Sequence, residues 1–202
     1  MSLTTTSVPS QKASNTATGW PSLRDGRTSR SAAAAPSSAS GIATVDLTVF
    51  GPKSGVHSGN YGNWMPNPAM RLASLLASMK DDHGKVTVPG YYDAVAPLTA
   101  EERAMLDAVP EDAERMLRTF GVAQPEQAFP KLQYAMQYPT LNVRGLASSF
   151  VGAGARTIIP DRATAAIDIR LVKETTAADL VAKLRAHVEK QGYHLVTDAE
   201  MK

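Results

Sequence analysis

From Ala163 to Val172 two faces alternate along the chain: Ala165, Ile167, Ile169 and Leu171 fall on one, and Thr164, Ala166, Asp168 and Arg170 on the other. A period of two is the repeat of an extended strand with one side against a core. A second segment, Ile42 to Val49, repeats the pattern, with Val45, Leu47 and Val49 opposite Thr44, Asp46 and Thr48 before Gly51 and Pro52 end it. Two strands with one apolar face each need something apolar laid over them. Two stretches of helical spacing supply it. Pro68 suits the first turn of a helix, and Ala69, Leu72, Leu75, Leu76 and Met79 then share one face until Asp81-Asp82-His83-Gly84 closes it. Residues 175–191 carry Ala177, Leu180, Val181, Leu184 and Val188 inward, with Gly192 as the stop. Leu141 to Phe150 reads as a third strand, Leu141 and Val143 opposite Asn142 and Arg144, and Tyr193 to Val196 begins a fourth.

The order is then β-α-β-β-α-β around an insertion at about 84–138. That order predicts an α+β fold: a ferredoxin-like two-layer sandwich, a four-stranded antiparallel sheet with two helices on one face. The insertion adds an extended piece and turn from Lys85 to Asp93, then a small helix opened by Thr99 and Glu102, a capping-box pair. Another helix is expected from Pro110 to about Thr119, stopped by Gly121. The face of the sheet away from the helices would carry Thr44, Asp46, Thr48, Asn142, Arg144, Asp168 and Arg170, so it is expected to meet water or another polar surface.

Residues 1–41 are of different material, rich in Ser, Thr, Ala and Pro, with the low-complexity run Ser31 to Gly41. Such a segment buries too little apolar surface to offset its ordering entropy, and it is read as a disordered leader. Its Ser-rich, acid-poor composition with Lys12, Arg24, Arg27 and Arg30 also fits a transit peptide. A net charge of +2 over 202 residues leaves no broad electrostatic footprint for nucleic acid. No apolar run approaches the ~20 residues needed to span a bilayer. The chain has no cysteine, which excludes disulfides and thiolate metal sites and fits a reducing, cytoplasmic compartment.

The densest chemical signal is Gly55-Val56-His57-Ser58-Gly59-Asn60-Tyr61-Gly62-Asn63, followed by Pro66-Asn67-Pro68. Here a histidine is presented between glycines, directly after a strand and before a helix. It can donate a hydrogen bond or exchange a proton, and a turn-capping role is the plainer alternative. The second candidate is the loop Ser148 to Pro160. Its Gly152 and Gly154 are followed by a strand, not a helix, so it is no phosphate loop; it either simply joins two strands or places Thr157 near a ligand. Arg170, on the polar face, could hold a carboxylate with its fork or pair with an acid across the sheet such as Asp46. His57, His83, His187 and His194 are scattered without ligand spacing, so no metal site is expected in this chain.

Together, His57-Ser58-Gly59 with Pro66-Asn67-Pro68, Val86 to Asp93, Arg156 to Pro160 and Ile169 to Val172 resemble the M20 metallopeptidases, and within them the carnosinase-like dipeptidases. The resemblance implies that residues 42–202 are the lid, or dimerisation, domain of such an enzyme. In that family the lid is inserted into a catalytic domain that binds two divalent metal ions, usually zinc. This chain would be a fragment without that domain, with no cofactor of its own and no activity alone. The resemblance further implies that His57 reaches the active site of the partner subunit of a homodimer and donates to the carbonyl oxygen of a peptide or dipeptide substrate. It implies that Thr157 contacts bound substrate and that Arg170 holds the substrate carboxylate. The competing expectation is a stand-alone ferredoxin-like module for a small ligand or RNA, although the strands offer almost no aromatic residues for stacking bases.

Overall fold

The structure is a computed structural model that describes residues 39–196 together with the short segments Ser2–Thr4 and Arg24–Asp25. Most of the expected leader therefore lies outside the described residues.

Ser2–Thr4 is β1, Arg24–Asp25 is β2 and Ala39–Phe50 is β3. Val56–His57 forms β4, followed by the single-turn α1 (Ser58–Tyr61) and α2 (Pro68–Ala77). The insertion holds α3 (Ala100–Ala108), α4 (Ala113–Phe120) and α5 (Leu132–Ala135). Next come β5 (Asn142–Ala147), a 3₁₀ turn at Gly152–Gly154, β6 (Ile158–Ile159) and β7 (Arg162–Val172). The last elements are α6 (Ala177–Lys190) and β8 (His194–Val196).

The architecture is mixed α and β with mainly antiparallel pairing, as expected, but the sheet is not the four-stranded one. It has six strands, ordered β5-β7-β3-β1-β8, with β2 pairing β3 as well. β1 runs antiparallel to β3 and parallel to β8, and so lies between two strands that the expected topology would place side by side. The physical reason is an open ladder: a strand beside β3 finds unpaired N–H and C=O groups whatever part of the chain supplies it.

The centre of the sheet is β3 against β7, paired from Ala39↔Val172 to Phe50↔Arg162. The alternation drives this register. Ala43, Val45, Leu47 and Val49 are buried on one strand, and Ala163, Ala165, Ile167 and Ile169 on the other. Leu72 and Leu75 from α2, Met79 just past its end, and Leu180, Leu184 and Val188 from α6 close over them in one cluster. Asn67 caps α2 by accepting from the backbone of Ala69 and Met70, and Pro68 stands in the first turn. Leu171, half-buried, packs against this cluster on the expected face, close to a bulge between Ala39 and Gly41 that shifts the register. On the opposite face Thr44, Asp46, Thr164 and Asp168 are half-buried, Thr48 is buried, and Asn142, Arg144 and Arg170 are exposed. Thr48 and Thr164 hydroxyls meet at 2.9 Å, and Asn142 donates to Asp168 at 2.8 Å.

β5 starts one residue later than its apolar pattern suggests. Leu141 is buried, whereas all six residues of the strand are exposed, Val143 included. It is the outer strand beyond β7, with its own bulge between Val143 and Gly145. In the insertion, Thr99 and Glu102 form the expected capping box. Helix α4 begins after Asp112, whose carboxylate accepts from the Arg115 backbone; Pro110 stays outside it. Edge-to-face packing of Tyr92 on Tyr91, Phe129 and Tyr138 holds the start of the insertion against its end. The buried Tyr91 donates its hydroxyl to the Thr140 carbonyl at 2.8 Å, and burial pushes its phenol well above the usual tyrosine range.

Candidate functional site

His57 leaves the sheet on a ladder of its own. Among the described residues β4 pairs only with β6, Val56 opposite Ile159 and His57 opposite Ile158. This two-residue ribbon draws the histidine loop onto the loop that precedes β7, and the Ser58 backbone donates to the Thr157 carbonyl at 3.1 Å. Gly55 permits the crossing, because a Cβ there would collide with the Ile158 side chain.

The imidazole is held at both nitrogens. His57 caps α1, its Nδ1 accepting from the Gly59 backbone N–H at 3.1 Å. A backbone N–H can only donate, so in the neutral ring Nδ1 is bare and the proton sits on Nε2. That Nε2 lies 3.2 Å from the Thr157 hydroxyl oxygen, to which it donates. The ring rests over Gly59, where a Cβ would come within 2.9 Å of Cε1. Both His57 and Thr157 are exposed. The arrangement is an N–H donor of fixed tautomer, facing outward, with a hydroxyl acceptor beside it that an incoming oxygen can replace.

The structure thus brings two of the three candidate residues together. Arg170 is elsewhere. β7 starts beside the histidine loop, where the Gly51 backbone donates to Asp161 at 2.7 Å. Eight residues of extended chain then carry Arg170 about 26 Å away along the strand. There its backbone exchanges hydrogen bonds with Thr140, at 3.1 and 3.2 Å, and its side chain is exposed. Among the described residues Arg170 forms no ion pair; Asp46 sits opposite Ala166, not beside it.

Two neighbours of the site were not evident as functional positions in the sequence. Phe150 packs under the Arg156 guanidinium at 5.6 Å, closing the glycine loop immediately before Thr157. Trp64, with Tyr61 and Met70, makes an exposed apolar rim after α1; Trp64 is 78% accessible. The only hint was position within the same two loops.

No group of three or more His, Cys, Asp or Glu residues comes together among the described residues. The Glu101–Glu102 pair opens α3, and Glu102 is spent on the Thr99 cap, which holds its carboxyl below the usual range. His187 is buried, its Nε2 2.8 Å from the Ser78 hydroxyl. These residues do not fit a metal centre. No helix of the described residues is long and apolar enough to cross a membrane.

A chain with this fold, in which a histidine and a threonine meet at the surface, has recognisable relatives. The family model described as a peptidase dimerisation domain, of the M20 type, matches residues 37–195, and the chain belongs to that family. The Cys-Gly metallodipeptidase of Schizosaccharomyces pombe is 30% identical over 152 residues, 74% of this chain and 32% of that protein. The Beta-Ala-His dipeptidase of Rattus norvegicus is 32% identical over 135 residues, 66% of this chain and 27% of that protein. Among solved structures, an M20 family metallo-carboxypeptidase from Sulfolobus solfataricus superposes with a TM-score of 0.66 at 29% identity, covering 76% of this chain and 35% of the other. Human carnosine dipeptidase 1 also gives 0.66, at 28% identity, covering 75% and 34%. The chain spans about a third of the length of the curated relatives it matches.

Proposed function

We propose that this chain is the lid and dimerisation part of an M20-type dipeptidase, a fragment that recognises substrate and pairs subunits while a separate catalytic domain performs hydrolysis. The observation that carries the reading is the exposed His57–Thr157 pair, with no cluster of acids or metal ligands among the described residues. On this reading residues 42–202 are the lid, residues 84–138 its insertion, and the strand order a ferredoxin-like sandwich widened by β1.

In the parent enzyme the divalent metal ions, usually zinc, would belong to the catalytic domain. The chemistry they supply there is activation of the attacking water. What this chain adds is a donor. The Nε2–H of His57, already directed by Gly59, lets go of Thr157 and donates to the substrate carbonyl oxygen as that oxygen becomes negative. Thr157 then contacts the bound peptide, and Arg170 offers a bidentate fork to its carboxylate. The separation along β7 supports a division of labour: one lid gives His57 and Thr157 to the partner subunit's site and Arg170 to its own. A homodimer through the open β5 edge and the outer face of α2 would allow this. The absence of cysteine supports a cytoplasmic setting. The RNA-binding alternative has no support in the described residues, whose polar sheet face offers Thr44, Asp46, Thr48 and Asp168 where stacking would need rings.

The test is His57→Ala in the full-length parent. Turnover should fall about 10²–10³-fold, the size of one lost oxyanion donor, while metal content stays unchanged. Turnover equal to wild type would sink the role.

A further inference from the structure

We propose that the cavity under the helical insertion binds a small organic cation, an amine on an aromatic or aliphatic skeleton. The cavity holds about 420 Å³ and lies between the insertion and the body, lined by Val86, Tyr92, Met116, Leu117, Phe129 and Leu141 among others. That volume falls within the ordinary range for small-molecule sites, which are mostly apolar with a few placed polar groups. Here the polar groups select a charge.

Four charged side chains line the space: Lys80, Glu111, Glu126 and Lys131. Lys80 and Glu126 neutralise each other at 2.8 Å, and Lys131 pairs with Asp107 at 3.5 Å. Glu111 is left. Its Oε1 accepts from the Leu132 backbone at 3.1 Å, and its Oε2 is buried with no hydrogen-bond partner among the described residues. A carboxylate oxygen removed from water without a donor is costly, and an ammonium group supplies both the donor and the opposite charge. The faces of Tyr92, Phe129 and Tyr138 favour a cation further; Phe129 and Tyr138 are stacked with centroids 4.4 Å apart. Phe120 and Leu132, exposed although they line the cavity, give an apolar tail something to cover. An anion finds no free partner, since both lysines are engaged. None of this depends on the hydrolytic role of the parent.

The test uses the 202-residue chain and two probes of equal shape, 2-phenylethylamine and 2-phenylethanol, titrated against its methyl resonances. The amine should bind at least tenfold tighter than the alcohol and shift Ala113, Ala128 and Ala135 while leaving the His57 loop unmoved. Glu111→Gln should bring the two probes to equal affinity, and Leu117→Trp, which fills the space, should abolish both. Equal affinities in the wild-type chain, no saturable binding of the amine, or shifts confined to another surface would each overturn the proposal. The wild-type comparison decides on its own if either variant fails to fold.

Discussion

At the scale of single residues, the candidate site depends on what surrounds His57 more than on the histidine itself. Gly59 supplies the N–H that sets the tautomer and the bare surface on which the ring lies. In Gly59→Ala the new methyl displaces the ring. The chain should fold with little change in melting temperature, the His57 ring resonances should move, and turnover of the parent should drop nearly as far as in His57→Ala. A normal imidazole spectrum in Gly59→Ala would refute this. His187 shows the opposite use of the same side chain. The single proton of the Ser78 hydroxyl goes to the Leu75 carbonyl at 2.7 Å, so His187 Nε2–H donates to Ser78, leaving Nδ1 buried and unpartnered. Burial, with Lys190 nearby, holds its pKa below the usual histidine value. The folded state therefore resists a proton that the unfolded chain accepts. This contribution to stability is complete above about pH 6.5 and is lost as pH falls below it, at no more than about 1.4 kcal/mol per pH unit. Denaturant midpoints at pH 7.5 and 5.5 should differ in the wild type and differ less in His187→Leu.

Elements divide into those held by burial and those held by their ends. Helix α6 buries Leu180, Leu184 and Val188 in the central cluster, and Leu184→Ala should cost about 2–5 kcal/mol in global unfolding. Helix α3 buries nothing and depends on its capping box. Thr99→Ala should remove hydrogen-exchange protection from the α3 amides, by about 1 kcal/mol, without moving the global midpoint. Both kinds were legible in the sequence because each leaves a short-range mark: the i, i+3, i+4 spacing of Leu180 and Leu184, or Thr99 followed by Glu102. The alternation of Ala165, Ile167, Ile169 and Leu171 was equally plain, and all four pack in or against the central cluster. Pairings of short segments were not legible at all. The two residues of β4 hold no period, the entry of Ser2–Thr4 beside β3 leaves none either, and the His57–Thr157 contact joins positions 100 apart in sequence. The resemblance to a family named both residues; only the fold shows that they touch, and that Arg170 stands at the far end of a strand.

For the whole molecule, the surface asks for a companion. The outer strand β5 exposes its ladder and its own Leu146, and Phe150 and Val151 follow, Val151 89% accessible. Open, partly apolar edges invite pairing with another chain. The chain should self-associate, and Leu146→Lys should weaken that association severalfold in sedimentation velocity; a strict monomer at high concentration in the wild type would count against the dimer. The detached ribbon of β4 and β6 has a separate consequence. His57 sits on that ladder and Thr157 directly precedes it, tied by the Ser58 backbone, which donates to its carbonyl; the ribbon is anchored where the Gly51 backbone donates to the Asp161 carbonyl just before β7. If the ribbon tilts, both groups tilt together and keep their spacing. Adjusting the pair to a ligand is then a motion with one degree of freedom, and a substitution at its anchor should rescale the response to every ligand alike.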